Sequence, residues 1–363
     1  MDEKVATRIV AKYLRKGNMA RCLRDILPAA GLSREQREEI AELIHDVVRW
    51  KKLYEYIIDR TGLPASPETY VKLAQDAAQT DVSSYPFEYR YSCSSYVAGV
   101  LENYRDWAEY LNQTPPTTLC VNLNTSTASN VLQILRVEQI PAQPSLLGTA
   151  IQTSSISKYS KVITNKYAHV QDENSQFIAA IAVVLGNSIL DYCAGNGGKS
   201  LAMASMSKNT KHLAAYELNE GKRAILRQRC EDYRAKVTID DHPPEDTFDL
   251  VLVDAPCSGL GAARRNPEAK YIEGPGDFPA TQLSILQEAA QKVDNHGSLL
   301  YAVCTITPEE TTDVIQAFTK HHEFTCTPLN DVPHLEYLQQ AKNGAFTVLP
   351  RGDLFFLSLL KKK

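Results

Sequence analysis

Two stretches of this chain carry residues that could do covalent chemistry. The first is 248–270, FDLVLVDAPCSGLGAARRNPEAK, where Asp254, Cys257, Arg264 and Arg265 follow one apolar run. A carboxylate can hold or take a proton, a thiol attacks as its thiolate, and guanidinium groups fork onto phosphate or carboxylate. The second is 299–310, LLYAVCTITPEE, where another apolar run ends at Cys304. A buried cysteine beside a solvated loop would explain any one of these residues, but it explains the set poorly.

The elements that position them are legible as a pattern. Phe248–Asp254 and 298–304 are apolar runs too short for helices and without polar alternation, which predicts strands covered on both faces, as in a parallel sheet. Further strands are predicted at Ser188–Asp191, 213–217 and 236–239. Helices are predicted at 199–206, 219–233, 280–293 and 308–319. Alternation of this kind gives an α/β, Rossmann-like sheet with helices on both faces, in which ligands bind beyond the carboxyl ends of the strands. Both cysteines and Asp254 fall at that edge. Phe346–Val348 and 354–360 are expected to close the sheet as a hairpin-like edge.

The first strand of this unit runs into a glycine loop, SILDYCAGNGGKS at 188–200. Glycines let backbone approach a ligand, and the following helix start offers free N–H groups. The loop is an incomplete G-x-G-x-x-G, because Ser200 holds the last position. It is also an incomplete Walker A loop, because Cys193 stands at its first glycine. Glu217, at the end of the next strand, is where an acid commonly holds the ribose of a nucleoside-containing cofactor.

The remaining chain bounds the function. At 363 residues there is room for several domains. We place an all-helical domain at 1–112, a small α+β unit at 113–168 and the sheet domain at 169–363. A Ser33/Gln36 capping box is expected before the second long helical stretch. The net charge of −4 means a nucleic-acid partner would need a local basic face. Residues 1–60 offer one in Lys4, Arg8, Lys12, Arg15, Lys16, Arg21, Arg24, Arg49, Lys51 and Lys52. The eight cysteines include no CxxC pair, which argues against a metal site. The charged start lacks an apolar leader and no run is long enough to span a bilayer, so a cytoplasmic protein is expected.

These motifs resemble those of the Fmu/Sun family of S-adenosylmethionine-dependent RNA cytosine-5 methyltransferases. DYCAGNGGKS at 191–200 is similar to that family's cofactor loop. DAPCSGLGAARRNPEAK at 254–270 and YAVCTITPEE at 301–310 are similar to its two cysteine motifs. VQDENSQ at 170–176, TTLCVNLN at 117–124 and the terminal GDLFFLSLLKKK also resemble family stretches. Residues 1–110 resemble the NusB-like domain of the bacterial 16S rRNA branch. The resemblance implies that Cys304 attacks C6 of a cytosine, that Cys257 assists proton removal at C5 and product release, and that Asp254 lies between base and cofactor. It further implies that Cys193, Ala194, Gly195, Asn196, Gly197, Gly198 and Lys199 wrap S-adenosylmethionine. Glu217 takes the ribose, and Asp240 or Asp241 takes the adenine. Arg264 and Arg265 would contact RNA. A monomer acting on 16S rRNA, without metal or membrane, is the expectation. The alternatives are a tRNA methyltransferase or a non-catalytic RNA-binding assembly factor retaining the fold. Three positions depart from the pattern. Gly195-Asn196 replaces Ala-Pro, Val303 replaces Thr, and Cys120 replaces an Arg, which would weaken a phosphate contact.

Overall fold

The computed structural model describes residues 1–76, 81–102, 104–329, 332, 334–340, 346–348 and 351–363. Parts of the predicted all-helical domain at 1–112, at 77–80 and 103, fall outside these. The chain divides into two units, 1–113 with 262–274, and 114–261 with 275–363.

The first unit is helical: α1 (Glu3–Lys16), α2 (Met19–Ile26), α3 (Arg34–Arg49), α4 (Lys51–Thr61), α5 (Pro67–Asp76), α6 (Phe87–Arg90), α7 (Ser95–Leu101) and α8 (Arg105–Leu111). Asp2 caps α1 by accepting from the N–H groups of Lys4 and Val5, and the Ser33/Gln36 capping box of α3 is formed in both directions. Ile9, Val10, Ile40, Ile44, Val47 and Tyr54, at helical spacing, make the core. The basic face is narrower than the sequence suggests. Arg49 is buried, ion-paired to Asp46, and donates to the Arg264 carbonyl at 3.2 Å.

The segment 262–274 groups with this helical unit rather than with the strand it follows. Its anchor is Lys270, 1% exposed, whose ammonium donates to the carbonyls of Arg49 (2.8 Å) and Tyr91 (3.1 Å) and to Asn112 Oδ1. Burial lowers the Lys270 pKa to about 7. A lysine pKa lower in the folded than in the unfolded chain makes the unfolded state bind more protons between about 7 and 10.5, so stability rises with pH there. We therefore expect the stability difference between wild type and Lys270→Met to shift by a few kcal/mol in favour of wild type from pH 7 to pH 10. Urea melts at both pH values measure it; parallel pH dependences would show that Lys270 is not the titrating group.

The second unit carries two sheets. Strands β1 (Thr117–Val121), β2 (Ala142–Pro144), β3 (Ala150–Thr153) and β4 (Ala168–Val170), with helices α9 (Ala128–Val137) and α10 (Lys161–Thr164), form a small antiparallel sheet of order β2-β3-β1-β4. Asn122 ties it to the larger sheet's layer by donating to the Tyr233 carbonyl (2.9 Å), and the Leu123 N–H donates to Ser205 Oγ (2.8 Å). Cys120, at the position where the related pattern carries an Arg, is fully buried among Phe177, Ile178 and Leu329. A small apolar side chain suits this place.

The large sheet contains β5 (Ser188–Asp191), β6 (His212–Tyr216), β7 (Thr238–Asp240), β8 (Phe248–Asp254), β9 (Val293–Val303), β10 (Phe324–Thr327), β11 (Leu338–Gln340), β12 (Phe346–Val348) and β13 (Phe355–Lys362). Its helices are α11 (Glu173–Leu185), α12 (Gly198–Met206), α13 (Glu220–Asp232), α14 (Phe278–Ala290) and α15 (Thr312–His321). The order β11-β12-β13-β9-β8-β5-β6-β7 is parallel from β9 to β7, and β10 also pairs with β13. The terminal strand is not an edge, as the sequence suggested. It lies antiparallel between β9 on one side and β12 and β10 on the other. The period of two decides which helix each residue meets. Leu250 and Leu252 face the cluster built on α11 and α12, whereas Val251 and Val253 face α14 and α15.

Candidate active site

β5, β6, β8 and β9 bring the predicted residues to one edge of the sheet. Asp254 of β8 is in register with Ala302 of β9, which places Cys257 and Cys304 just beyond two neighbouring parallel strands. Their sulfurs lie 3.3 Å apart. The Cys304 thiol is held well above its ordinary pKa, first by its hydrogen bond with Cys257, then by burial. Lys199 acts in the opposite sense, favouring the thiolate. Its ammonium is 2.5 Å from Asp254 Oδ2, and both its stem and head are buried while Asp254 is 30% exposed. Burial disfavours the Lys199 charge, but the Asp254 carboxylate more than offsets this and the lysine pKa is raised.

The loop after Cys257 is pinned beneath Cys304. The Gly261 N–H donates to the Cys304 carbonyl (2.9 Å), and the Gly261 carbonyl accepts from Leu354 N–H (3.0 Å). A Cβ on Gly261 would fall 2.0 Å from the Leu354 carbonyl oxygen, so this position admits only glycine.

The three loop glycines have separate roles. Gly195 has φ +56 with nothing within 4 Å of where a Cβ would sit, so its backbone is open to a ligand. Its N–H donates to Glu217 Oε2 at 2.9 Å, joining the loop to the end of β6. Gly197 has φ +82 and faces inward, with a Cβ only 2.3 Å from Leu226 of α13. On that side the absent Cβ lets α13 pack against the loop. Gly198 starts α12 beside the Gln171 amide. The Ala194 N–H donates to the Tyr216 carbonyl (3.0 Å), and Cys193 is half-buried with its thiol pKa pushed up by burial. Arg229 of α13 donates to the Asn196 carbonyl (2.7 Å), a tether for the segment in which proline is absent. We expect Gly197→Ala to destabilise the unit by about 2 kcal/mol, through the strained φ and the clash, and Gly195→Asn, a side chain that tolerates φ +56 and meets no neighbour there, to reduce ligand affinity with a smaller loss of melting temperature. Thermal melts and calorimetry on both variants check this; the reverse pattern would exchange the two roles.

Asp240 ends β7 in register with Tyr216, one residue before Glu217. Asp241 is taken up by Arg223 (2.8 Å) and Arg227 (2.7 Å). Arg264 is not presented to solvent: it is 6% exposed, with its guanidinium over the Tyr110 ring at 4.2 Å. Arg265 is half-buried in the same segment.

Four polar residues escaped sequence reasoning. Asp191 is buried, accepts from Ser200 Oγ (2.6 Å), and has its pKa raised to about 6 by burial. Glu310, Gln282 and Thr307 are fully buried around the Cys257 loop. The acids after Pro308 look like a helix first turn. Instead residues 308–310 form a separate 3-10 turn, and α15 begins at Thr312. The related stretch VQDENSQ is structural: Asp172 caps α11 and accepts from Asp353 N–H (3.0 Å).

A parallel sheet of this order, with an antiparallel last strand and an acid and glycine loop at its carboxyl edge, defines the Rossmann-like fold of methyltransferases. The family model for the 16S rRNA methyltransferase RsmB/F matches residues 178–361. The chain belongs to that family. The probable ribosomal RNA small subunit methyltransferase B of Bacillus subtilis (strain 168) is 32% identical over 217 residues, 55% of this chain and 48% of that protein. The protein with the same description from Coxiella burnetii is 30% identical over 272 residues, 69% of this chain and 62% of that protein. The matched stretch thus spans 48% and 62% of the length of these two relatives. Among solved structures, PH0851 superposes with TM-score 0.80 at 19% identity, covering 99% of this chain and 98% of that one, a likeness of fold.

Proposed function

We propose that the chain transfers a methyl group from S-adenosylmethionine to C5 of a cytosine in RNA, with 16S rRNA as the substrate. The observation that carries this is the 3.3 Å pair of Cys257 and Cys304 beside the Lys199–Asp254 ion pair. C5 of cytosine is a poor nucleophile. A thiolate adding to C6 turns C5 into an enamine carbon, and the adduct must later be resolved by a second group. Two thiols at one sheet edge supply attack and resolution.

Cys304 is assigned the attack on its likeness to the family's second cysteine motif, and the Lys199 charge opposes the hydrogen bond and burial that raise its pKa. Asp254 would hold the cytosine ring by hydrogen bonding, keeping C6 near that sulfur. Gly195, with open space at its α-carbon, and Glu217 fit a cofactor with a ribose, and Asp240 is the acid left for the adenine because Asp241 is engaged by two arginines. When bound, S-adenosylmethionine supplies an electrophilic methyl group to C5. Afterwards Cys257 assists removal of the C5 proton. The electron pair of that C–H bond forms the C5–C6 double bond, the C6–S bond breaks, and Cys304 leaves as thiolate. The base must leave its stack for C6 to reach a thiolate, so an unpaired cytosine is the expected target. Exposed Lys4, Arg8, Arg15, Lys16, Arg21 and Arg24 of the helical unit would contact phosphates, and binding should weaken steeply with salt.

The test is methyl transfer from labelled S-adenosylmethionine to purified 16S rRNA, 30S subunits and bulk tRNA. Label in the ribosomal RNA supports the reading, and label confined to tRNA reassigns the substrate. Absence of both label and cofactor binding in calorimetry would make the chain a scaffold.

A further inference from the structure

Cys257 sits in a short loop whose backbone is gripped on both sides by groups outside either cysteine motif's thiol. Glu310 Oε2 accepts from the Ser258 N–H (2.8 Å), immediately after Cys257. The Gln282 amide nitrogen donates to the Pro256 carbonyl (3.0 Å), immediately before it, and also to Glu310 Oε2 (3.0 Å). Glu310 Oε1 accepts from Thr307 Oγ1 (2.9 Å), and Tyr301 OH donates to the Glu310 carbonyl (2.8 Å). Ser258 Oγ meets Thr305 Oγ1, the residue after Cys304, at 3.0 Å. Glu310, Gln282, Thr305 and Thr307 are all wholly buried.

A buried carboxylate is costly unless its oxygens are satisfied, and a less demanding apolar residue would fill the space. Here the carboxylate's partners named above lie on the Cys257 loop, on the turn that follows Cys304, or on Gln282, which also holds that loop. The bonds therefore fix one thiol-bearing loop against the other. We propose that Glu310, with Gln282, positions Cys257 opposite Cys304, and so controls resolution of the adduct rather than its formation. The step rests on the methyltransferase reading: the C5 proton must be taken while C6–S cleavage begins, and a sulfur displaced by about 1 Å can cost such a step about a hundredfold. Attack by Cys304 does not need Cys257 in place.

The clamp is tested first without any substrate, by alkylating the full chain with iodoacetamide and following Cys257 and Cys304 separately by peptide mass spectrometry. In Glu310→Ala the Cys257 rate relative to Cys304 should change by at least about fivefold as the loop is released. Glu310→Gln should restore it, since the amide keeps one acceptor oxygen and the Thr307 hydroxyl can turn to accept from its nitrogen. An unchanged ratio in Glu310→Ala, or Glu310→Gln behaving like it, overturns the proposal. Should Glu310→Ala fail to fold, Gln282→Leu releases the Pro256 side alone and must move the ratio in the same direction; no movement is again a refutation. With RNA and S-adenosylmethionine, Glu310→Ala should complete a first turnover but accumulate protein–RNA complex stable to denaturation. A purely structural defect would lower first turnover and complex together. A wild type that transfers no methyl group defeats the methyltransferase reading, while the alkylation ratio still decides the clamp.

Discussion

Replacing Cys257 with alanine should leave a protein that attacks RNA and cannot let go. Cys304 keeps its sulfur, and Lys199 still favours its thiolate, so addition to C6 and acquisition of the methyl group proceed. The group opposite it, 3.3 Å away in wild type, is gone. The expected result is a complex of protein and RNA that survives denaturing electrophoresis, with multiple turnover reduced at least about a thousandfold, the scale of losing a reacting group. Cys304→Ala should be equally inactive and form no complex. In Cys257→Ala the hydrogen bond that most raises the Cys304 pKa is gone while burial still raises it, so the rate of complex formation should climb with pH and do so at a lower pH than Cys304 alkylation in wild type. A complex trapped by Cys304→Ala and none by Cys257→Ala would exchange the two roles.

The second large effect should come from Asp254. Its carboxylate is the ion-pair partner of Lys199, whose side chain is 7% exposed. Removing one member of such a pair leaves a buried charge without its counter-ion, which costs about 3 kcal/mol or more. Asp254→Ala should therefore both abolish methyl transfer and lower the stability of its unit. Lys199→Met removes the charge itself and should destabilise less. The double variant Asp254→Ala/Lys199→Met should be more stable than the sum of the single losses, a coupling readable from urea melts. Additive losses would mean that the 2.5 Å contact carries no net interaction.

Much of this was legible because sheet strands announce themselves. Phe248–Asp254 is apolar on both faces, and burial of Leu250 through Val253 is what a central parallel strand requires. Both cysteines follow from where such strands end. What the pattern could not supply were side-chain partners distant in sequence. Glu310 reads as an acid in a helix start, because nothing local tells that it turns inward to Ser258, 52 residues away. Nothing in the glycine loop's sequence tells that Leu226 lies against Gly197. Arg264 and Arg265 look like one basic pair, yet Arg264 spends its charge on the Tyr110 ring within the helical unit. The terminal strand was found but misplaced, since a hairpin's sequence does not say which neighbour its second strand will join.

The most direct test of the central claim is nucleoside mass spectrometry on 16S rRNA incubated with S-adenosylmethionine and the purified chain, beside Cys304→Ala. The account predicts 5-methylcytidine at an unpaired position with wild type, and none with the variant. Methyl groups on another base or on ribose, or 5-methylcytidine formed equally by Cys304→Ala, would contradict it.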